Sequence, residues 1–412
     1  MLDKAKNRLL TDVEPGSAMG DYLRRYWHPI AGAADFDQVS IKPIRLFGEN
    51  LVLYKDLSGT FGLVERQCAH RSADLAYGFV EKCGIRCNYH GWLYDQGGRC
   101  LEQPYEQTVL PNSKYRDKIR LKSYPVREKA GLLFAYLGEG EPPCLPDWEP
   151  FSRSDGFVQV VTADVPCNWF QCQENSIDPV HFEWMHSNWS ARMRDPNGAF
   201  GPQHIKLGFD EFEHGFIYKR IRNDTDESDP LWTVGRVLLW PNGFFLGNHF
   251  EWRVPVDNEN TLSVSWIYAA VPENRRPYRQ NHIPSWKSPI VDPETGRWIT
   301  THVINQDIVG WVGQGRITDR GRENLGQSDK GIVMVRNRFL RELDAVAAGE
   351  RPKGLITDEA MNHRVTLPVA NRLSLGANAV TAKFILHAGQ PAEVRAACEE
   401  AMGFEIDAGG LT

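Results

Sequence analysis

Four side chains of the kind that bind metals fall in two short pairs, Cys68-Ala69-His70 and Cys87-Asn88-Tyr89-His90, with sixteen residues between them. Pairs this tight sit on loop tips, and two tips converge on one point when the chain around them folds back as hairpins. The surrounding sequence has that form. Residues 44–64 alternate apolar and polar around the turns Gly48-Glu49-Asn50 and Asp56-Leu57-Ser58-Gly59, and strand-like runs follow at 84–87, 91–94 and 131–137. Pro142-Pro143 and Leu145-Pro146-Asp147 then break the pattern. The expectation is an all-β domain over 41–150, after a helical arm over 1–40 that includes a helix at 21–27. Thiolates hold iron–sulfur clusters, and imidazoles in place of two of them remove negative charge and raise the reduction potential. A zinc ion is the alternative, on these four residues or through Cys83, Cys87 and His90, although zinc fingers pair cysteine with cysteine and histidine with histidine.

Beyond residue 150 the pattern changes. Residues 157–165 read as a strand, and 169–189 have helical apolar spacing despite Pro179. Strands over 206–222, 232–240, 244–254 and 261–271 are separated by Glu213-His214-Gly215, Pro241-Asn242-Gly243 and Asp257-Asn258-Glu259-Asn260, the signature of an antiparallel meander. Residues 272–293 lack periodicity and read as a flexible cover, whereas 332–348 read as an amphipathic helix. This predicts an α+β fold in which an antiparallel sheet over 151–412 is covered by helices.

A second constellation lies inside the 169–189 segment. Asp178, His181 and His186 form Asp-x-x-His-x-x-x-x-His within a run that starts Glu174-Asn175. Residues five apart on an α-helix lie about 140° apart. His181 and His186 can therefore reach one metal only across a break or a wide turn, which is predicted between them. Asp178 before Pro179 is also a favoured helix start, so capping is one role for it. Two imidazoles leave a metal short of ligands, and two histidines with one carboxylate on a single face make the set that non-heme iron(II) uses. Asp307, Asp319, Glu323 and Asp329 are the candidates for the carboxylate. Asp307 is the best of them, because 303–307 reads as a helix able to face the histidines.

Together the two constellations resemble the Rieske non-heme iron oxygenases. The resemblance spans nearly the whole chain: Pro15-Gly16, Trp27-His28-Pro29, both ligand groups, Gly91-Trp92, Gln306-Asp307, Asp319-Arg320, Glu323-Asn324-Leu325-Gly326 and Ser328-Asp329. Ala73 and Tyr89 stand where respiratory Rieske proteins carry an extra cysteine pair, and Asn175 stands where relatives often have glycine. The resemblance implies an N-terminal Rieske domain whose [2Fe–2S] cluster is held by Cys68 and Cys87 on one iron and by His70 and His90 on the other. It implies a catalytic domain with a mononuclear Fe(II) on His181, His186 and Asp307. Electrons would come from NADH or NADPH through a separate reductase, with or without a ferredoxin, and O2 would be the co-substrate. It further implies a head-to-tail homotrimer in which Asp178 bridges His90 of one chain and His181 of the next. The similar branch is the phthalate-dioxygenase-like one, acting on anionic aromatic compounds, and within it the O-demethylases of lignin-derived methoxylated aromatic acids of the 5,5′-dehydrodivanillate type. Demethylation with formaldehyde release is the activity this implies. cis-Dihydroxylation of a phthalate-like acid is the alternative, and a Rieske-type electron carrier is the alternative from another class, against which the long remainder of the chain stands.

Charge bears on the substrate. Lysine and arginine number 47 against 53 acidic residues, a net charge of −6, so no global basic field exists for nucleic acid or an anionic membrane. An anionic substrate must be held by local cations, for which Arg220, Arg222, Arg236 and Arg253 on the expected strands are candidates. Trp240, Phe244, Phe245, Phe250 and Trp266 lie on the same strands, where core packing is the plainer role. Eight cysteines are too sparse for a disulfide scaffold. No run approaches about 18 uninterrupted apolar residues. A cytoplasmic protein with reduced thiols is expected, Cys83 among the buried ones.

Overall fold

The hairpins of the first third form two four-stranded antiparallel sheets in the computed structural model, which describes residues 2–370 and 388–406. One contains Ile41–Leu46, Glu49–Lys55, Phe61–Glu65 and Ser123–Tyr124; the other contains Phe79–Glu81, Gly84–Arg86, Leu93–Tyr94 and Cys100–Glu102. Val52, Tyr54, Val64, Leu75, Ile85 and Tyr94 seal the space between them. A third sheet joins Trp27–Gly32 to Leu132–Tyr136 and Val126–Lys129. Here the structure corrects the helix expected over 21–27, since the helix is Ala18–Leu23 and Trp27 opens a strand. All six residues of that strand are buried. A strand buried on both faces shows no alternation, so its sequence looks like a helix segment.

Eight strands build the second domain's sheet, in the order His204–Phe212, Gly215–Arg222, Arg236–Leu239, Gly243–Phe245, His249–Asp257, Asn260–Ala270, Gly156–Val165 and Ser285–Lys287. All neighbours are antiparallel except Ser285–Lys287, which runs parallel to Gly156–Val165. The stretch expected as a flexible cover thus supplies an edge strand. Trp232 lies outside the sheet in the helical turn Pro230–Thr233, which Asp229 caps by accepting from the Leu231 amide. The strand expected over 244–254 is two strands, parted where Gly247 takes a φ of +93°.

The helices Trp169–Asn175, Val303–Val312 and Lys330–Ala347 lie over this sheet. Phe339 stacks on Trp240 at 4.0 Å and meets Trp169 and Phe170 edge-on. Trp240, Phe245, Phe250 and Trp266 all belong to this core. Cys83 is exposed in a hairpin turn, not buried as expected, while the other seven cysteines are buried thiols. Among the described residues no helix is long and apolar enough to cross a membrane.

A buried charge cluster ties the helices together. The Glu174 carboxylate accepts from Arg320 Nη2 at 2.7 Å and Arg336 Nε at 2.5 Å, and Arg336 forks onto Glu323 at 2.6 and 2.8 Å. Arg320 also donates to Asn7 of the Lys4–Thr11 helix. Removing one member of a buried pair leaves the other uncompensated, at a cost of about 3–5 kcal/mol. Glu174→Ala is therefore expected to lower the melting temperature by roughly 6 °C or more, measured on the metal-loaded protein. A melting temperature within about 1 °C of the wild type would contradict this.

Candidate metal centres and active-site cavity

The first centre sits on two hairpin tips. The Cys68 amide donates to Ala73 O at 2.8 Å, and the Cys87 amide donates to Trp92 O at 2.9 Å, so each loop closes on itself. Gly91 permits the second closure with a φ of +73°. Cys68 and Cys87 point inward at 3% and 1% exposure, whereas His70 is half-buried and His90 exposed. The two imidazoles lie 4.5 Å apart, and the Trp92 ring stacks on His70 at 4.4 Å. Tyr94 Oη lies 3.2 Å from Cys68 Sγ. Burial pushes the Cys68 thiol up and the His70 imidazole down, the latter helped by His90. Two observations test what these four can hold. His70 Nδ1 is buried with no hydrogen-bond partner, which suits a metal ligand. Ligands of a single tetrahedral zinc lie about 3–4 Å apart. Among the described residues, the only group of three potential ligand atoms within 4.8 Å of one another is elsewhere in the chain. Two reduced thiols and two imidazoles spread wider than one ion requires fit a two-iron cluster.

That other group is His181, His186 and Asp307. The Trp169–Asn175 helix ends before Asp178, whose Oδ1 accepts from the Val180 amide at 2.8 Å. Asp178 thus closes a turn ahead of the next helical segment, whose N-cap position is held by His181 and not by Asp178 as expected. The chain then rewinds as a π-helix over Phe182–Asn188. A π-helix closes i→i+5 hydrogen bonds, so residues five apart come round to one side. This is the wide turn the spacing predicts. His181 Nε2 and His186 Nε2 lie 3.6 and 3.3 Å from Asp307 Oδ1. Asp307 projects from the Val303–Val312 helix, which begins where the His302 side chain accepts from the Ile304 amide. The three other acids considered are engaged elsewhere. Asp319 accepts from the Gly321 amide, Glu323 pairs with Arg336, and Asp329 accepts from the Gly326 amide.

The electrostatics suit a metal at this point. Burial pushes the His181 imidazole down to about 3, keeping its nitrogen lone pair free of protons. Burial acts to raise the Asp307 carboxyl, but His186 and His181 outweigh it and hold it below the usual carboxylate range. Burial pushes Asp178 up to about 6, with Asp329 and Asp307 adding to the effect. Asp178 Oδ2 lies 3.8 Å from His181 Nδ1, which has no hydrogen-bond partner. Gln306 Oε1 lies 2.9 Å from His186 Nδ1, and its amide nitrogen is spent on Ser190 Oγ and Thr300 O, so its oxygen faces the ring. His186 then carries its proton on Nδ1 and presents Nε2 toward Asp307. Asn175 Nδ2 donates to Asp307 Oδ1 at 3.3 Å. Two imidazoles and one carboxylate facing a common point fit the two-histidine, one-carboxylate iron set. Gln306 and the contact of Asn175 were not foreseen. Both act across more than a hundred residues of chain, and the only sequence hint was their adjacency to Asp307 and Glu174.

A cavity of about 320 Å³ opens over this trio, walled by Phe182, Phe244 and Ile267. The four candidate arginines separate. Arg220 and Arg222 line the cavity, as does Arg253, which is paired with Glu251 at 3.0 Å. Arg222 pairs with Asp224 at 3.1 Å. Arg236 is buried outside the lining.

Residues 26–125 match the model of the Rieske [2Fe-2S] domain, and residues 271–367 match that of a LigXa C-terminal domain like family. The chain is 51% identical to the 5,5′-dehydrodivanillate O-demethylase oxygenase subunit of Sphingobium sp. (strain NBRC 103272 / SYK-6), over 99% of this chain and 98% of that one. It is 33% identical to the phenoxybenzoate dioxygenase subunit alpha of Ectopseudomonas oleovorans, over 85% and 88%. Among solved structures, NdmA of Pseudomonas putida CBB5 superposes with a TM-score of 0.57 at 19% identity, over 80% of this chain and 94% of that one.

Gln306→Leu removes the acceptor that faces His186 Nδ1. It is expected to weaken iron binding at this trio about 10- to 100-fold, measured as iron content after dialysis against a chelator, with the cluster's visible absorption unchanged. Full retention of the mononuclear iron would remove Gln306 from this positioning role.

Proposed function

The chain belongs to the Rieske non-heme iron oxygenases, and on that premise we propose that it is the oxygenase of an O-demethylase acting on a lignin-derived methoxylated aromatic acid of the 5,5′-dehydrodivanillate type. Like its relatives it is a terminal oxygenase with a Rieske [2Fe–2S] cluster and a mononuclear iron, supplied with electrons by a reductase. The observation that carries the substrate assignment is 51% identity along the full length to an O-demethylase subunit. A cavity with phenyl walls and a cationic side chain over the metal trio supports it.

Cys68, His70, Cys87 and His90 would hold the cluster, and His181, His186 and Asp307 the iron. Bound there, the cluster supplies single electrons and the iron supplies dioxygen activation at the substrate's methyl carbon. The balance is that of a monooxygenase. One oxygen atom enters a methyl C–H bond, the other leaves as water with two electrons and two protons, and the resulting hemiacetal splits into a phenol and formaldehyde. The residues around the metals do the positioning. Gln306 fixes the proton of His186 on Nδ1, Asn175 restrains Asp307 Oδ1, and Phe182 and Phe244 keep water from the ring-binding space.

Asp178 is assigned the link between the two centres. In a head-to-tail homotrimer a heterologous contact closes as a ring, and Asp178 would join His181 of its own chain to His90 of the neighbour. Its half-buried carboxylate beside His181 supports this.

The test is a single turnover of anaerobically reduced protein exposed to O2 with 5,5′-dehydrodivanillate, vanillate or phthalate. Formaldehyde from the methoxylated acids is expected. A cis-diol without formaldehyde would make the protein a dihydroxylase, and neither product from any of the three would end the aromatic-acid reading. Asp178→Asn should keep a full metal load yet nearly abolish product formation, whereas unchanged turnover would remove its linking role.

A further inference from the structure

Two buried guanidiniums, Arg220 in the cavity wall and Arg236 outside its lining, have no carboxylate partner among the described residues. Arg220 and Arg236 are 8% and 4% exposed, and Nε of each lacks any hydrogen-bond partner. Their remaining hydrogen bonds go to neutral groups: Arg220 Nη1 donates to His204 Nε2 at 3.1 Å, and Arg236 Nη1 to Tyr218 Oη at 3.3 Å. The register brings them together. Tyr218 stands directly opposite Arg236, and Arg220 lies two residues further along on the same face. Both guanidiniums lie over the Phe182 ring, at 5.2 and 4.9 Å. The same ring is 4.2 Å from His181 and 5.3 Å from His186. The cationic pair therefore sits one phenyl ring from the metal trio, and Arg220 faces the cavity.

Two like charges taken out of water side by side oppose folding unless something answers them. Burial, with Arg236 adding to it, pushes Arg220 down to about 10. Among the described residues, every acid in reach is already engaged. Glu183 Oε2 holds His204 Nδ1 at 2.8 Å, Glu251 holds Arg253, Asp224 holds Arg222, Asp307 faces the two histidines, and Asp229 caps its own helical turn. The Glu183 contact places the His204 proton on Nδ1, leaving Nε2 as the acceptor that steadies Arg220.

We infer that Arg220, reinforced by Arg236, receives the carboxylate of the aromatic substrate, while the ring's methoxy group is presented to the metal trio across Phe182. The inference rests on the aromatic-acid reading above. It sets aside Arg222 and Arg253, whose charges are met within the protein.

The test is binding of 5,5′-dehydrodivanillate and of its dimethyl ester to the metal-loaded enzyme without O2, followed by tryptophan fluorescence. The wild type should prefer the acid by about ten- to hundredfold, the worth of a charge-assisted contact. Arg220→Gln should bring acid and ester within about threefold of each other, and Arg236→Gln should narrow the gap by less. Wild-type preference in Arg220→Gln, or no preference in the wild type, overturns the inference. Should Arg220→Gln lose its cluster absorption, Arg220→Lys decides, because it keeps the charge without the fork. A partial loss of preference supports the contact and an undiminished preference contradicts it. Formaldehyde release by the wild type separates the two readings: release with an unaltered Arg220→Gln preference leaves the demethylase standing without this subsite, and no release with an erased preference leaves the subsite without the demethylase.

Discussion

His181 and His186 face one carboxylate because the chain between them is wound as a π-helix, Phe182–Asn188. On an α-helix they would diverge by about 140°, and Asp307 could meet only one of them. The wider winding has further consequences, because Phe182 and Glu183 lie inside it. Phe182 is carried between the imidazoles and the two arginines. Glu183 is turned toward the opposite strand, where its carboxylate accepts from the amide of His204 and engages the ring. Metal trio, phenyl spacer and cationic wall are thus set by one local distortion. Regular helix holds it at both ends, Trp169–Asn175 before the Asp178 turn and Trp189–Arg194 after it.

The buried charges sort into those answered within the protein and those that are not. Glu174, Arg320, Arg336 and Glu323 form a closed set of two acids and two bases behind the metal-binding segment. Glu251 and Arg253 form another under the cavity, with Ser263 donating to Glu251. Such sets hold geometry, and each is costly to break but neutral as a whole. Arg220 and Arg236 have no such answer among the described residues. The Asp307 carboxylate likewise faces two imidazoles, of which burial holds His181 down, an arrangement completed by a cation. The unanswered charges of Arg220 and Asp307 border one cavity, which is where ligand and metal chemistry belong.

Much of this was legible in the sequence for physical reasons. The mixed Cys/His pairs could serve only on converging loop tips, and the five-residue histidine spacing demanded a non-α turn. The meander and the long covering helix were readable from period and turn residues. What stayed hidden depends on contacts between distant segments. Trp27–Gly32 is buried on both faces and so lacks alternation, and Ser285–Lys287 becomes a strand only because Gly156–Val165 offers a free edge. Cys83 is a thiol on a hairpin tip, which composition could not distinguish from a core cysteine. Asp307 was the best of four acids on its helix alone and the ligand the resemblance implied, and the structure adds that Asp319, Glu323 and Asp329 have other partners. The four arginines were equivalent until Asp224 and Glu251 were seen to neutralise two of them.

The central claim is that one chain holds two separate metal centres, a cluster on the Cys68 and Cys87 loops and an iron on His181, His186 and Asp307. Iron and acid-labile sulfide per chain, measured for the wild type and for Asp307→Ala, test it directly. The two irons of a [2Fe–2S] cluster plus one at the trio predict three irons and two sulfides. Asp307→Ala should hold two of each, with the reduced cluster's paramagnetic resonance spectrum unchanged. Two irons in the wild type, or loss of the cluster signal in Asp307→Ala, would contradict it.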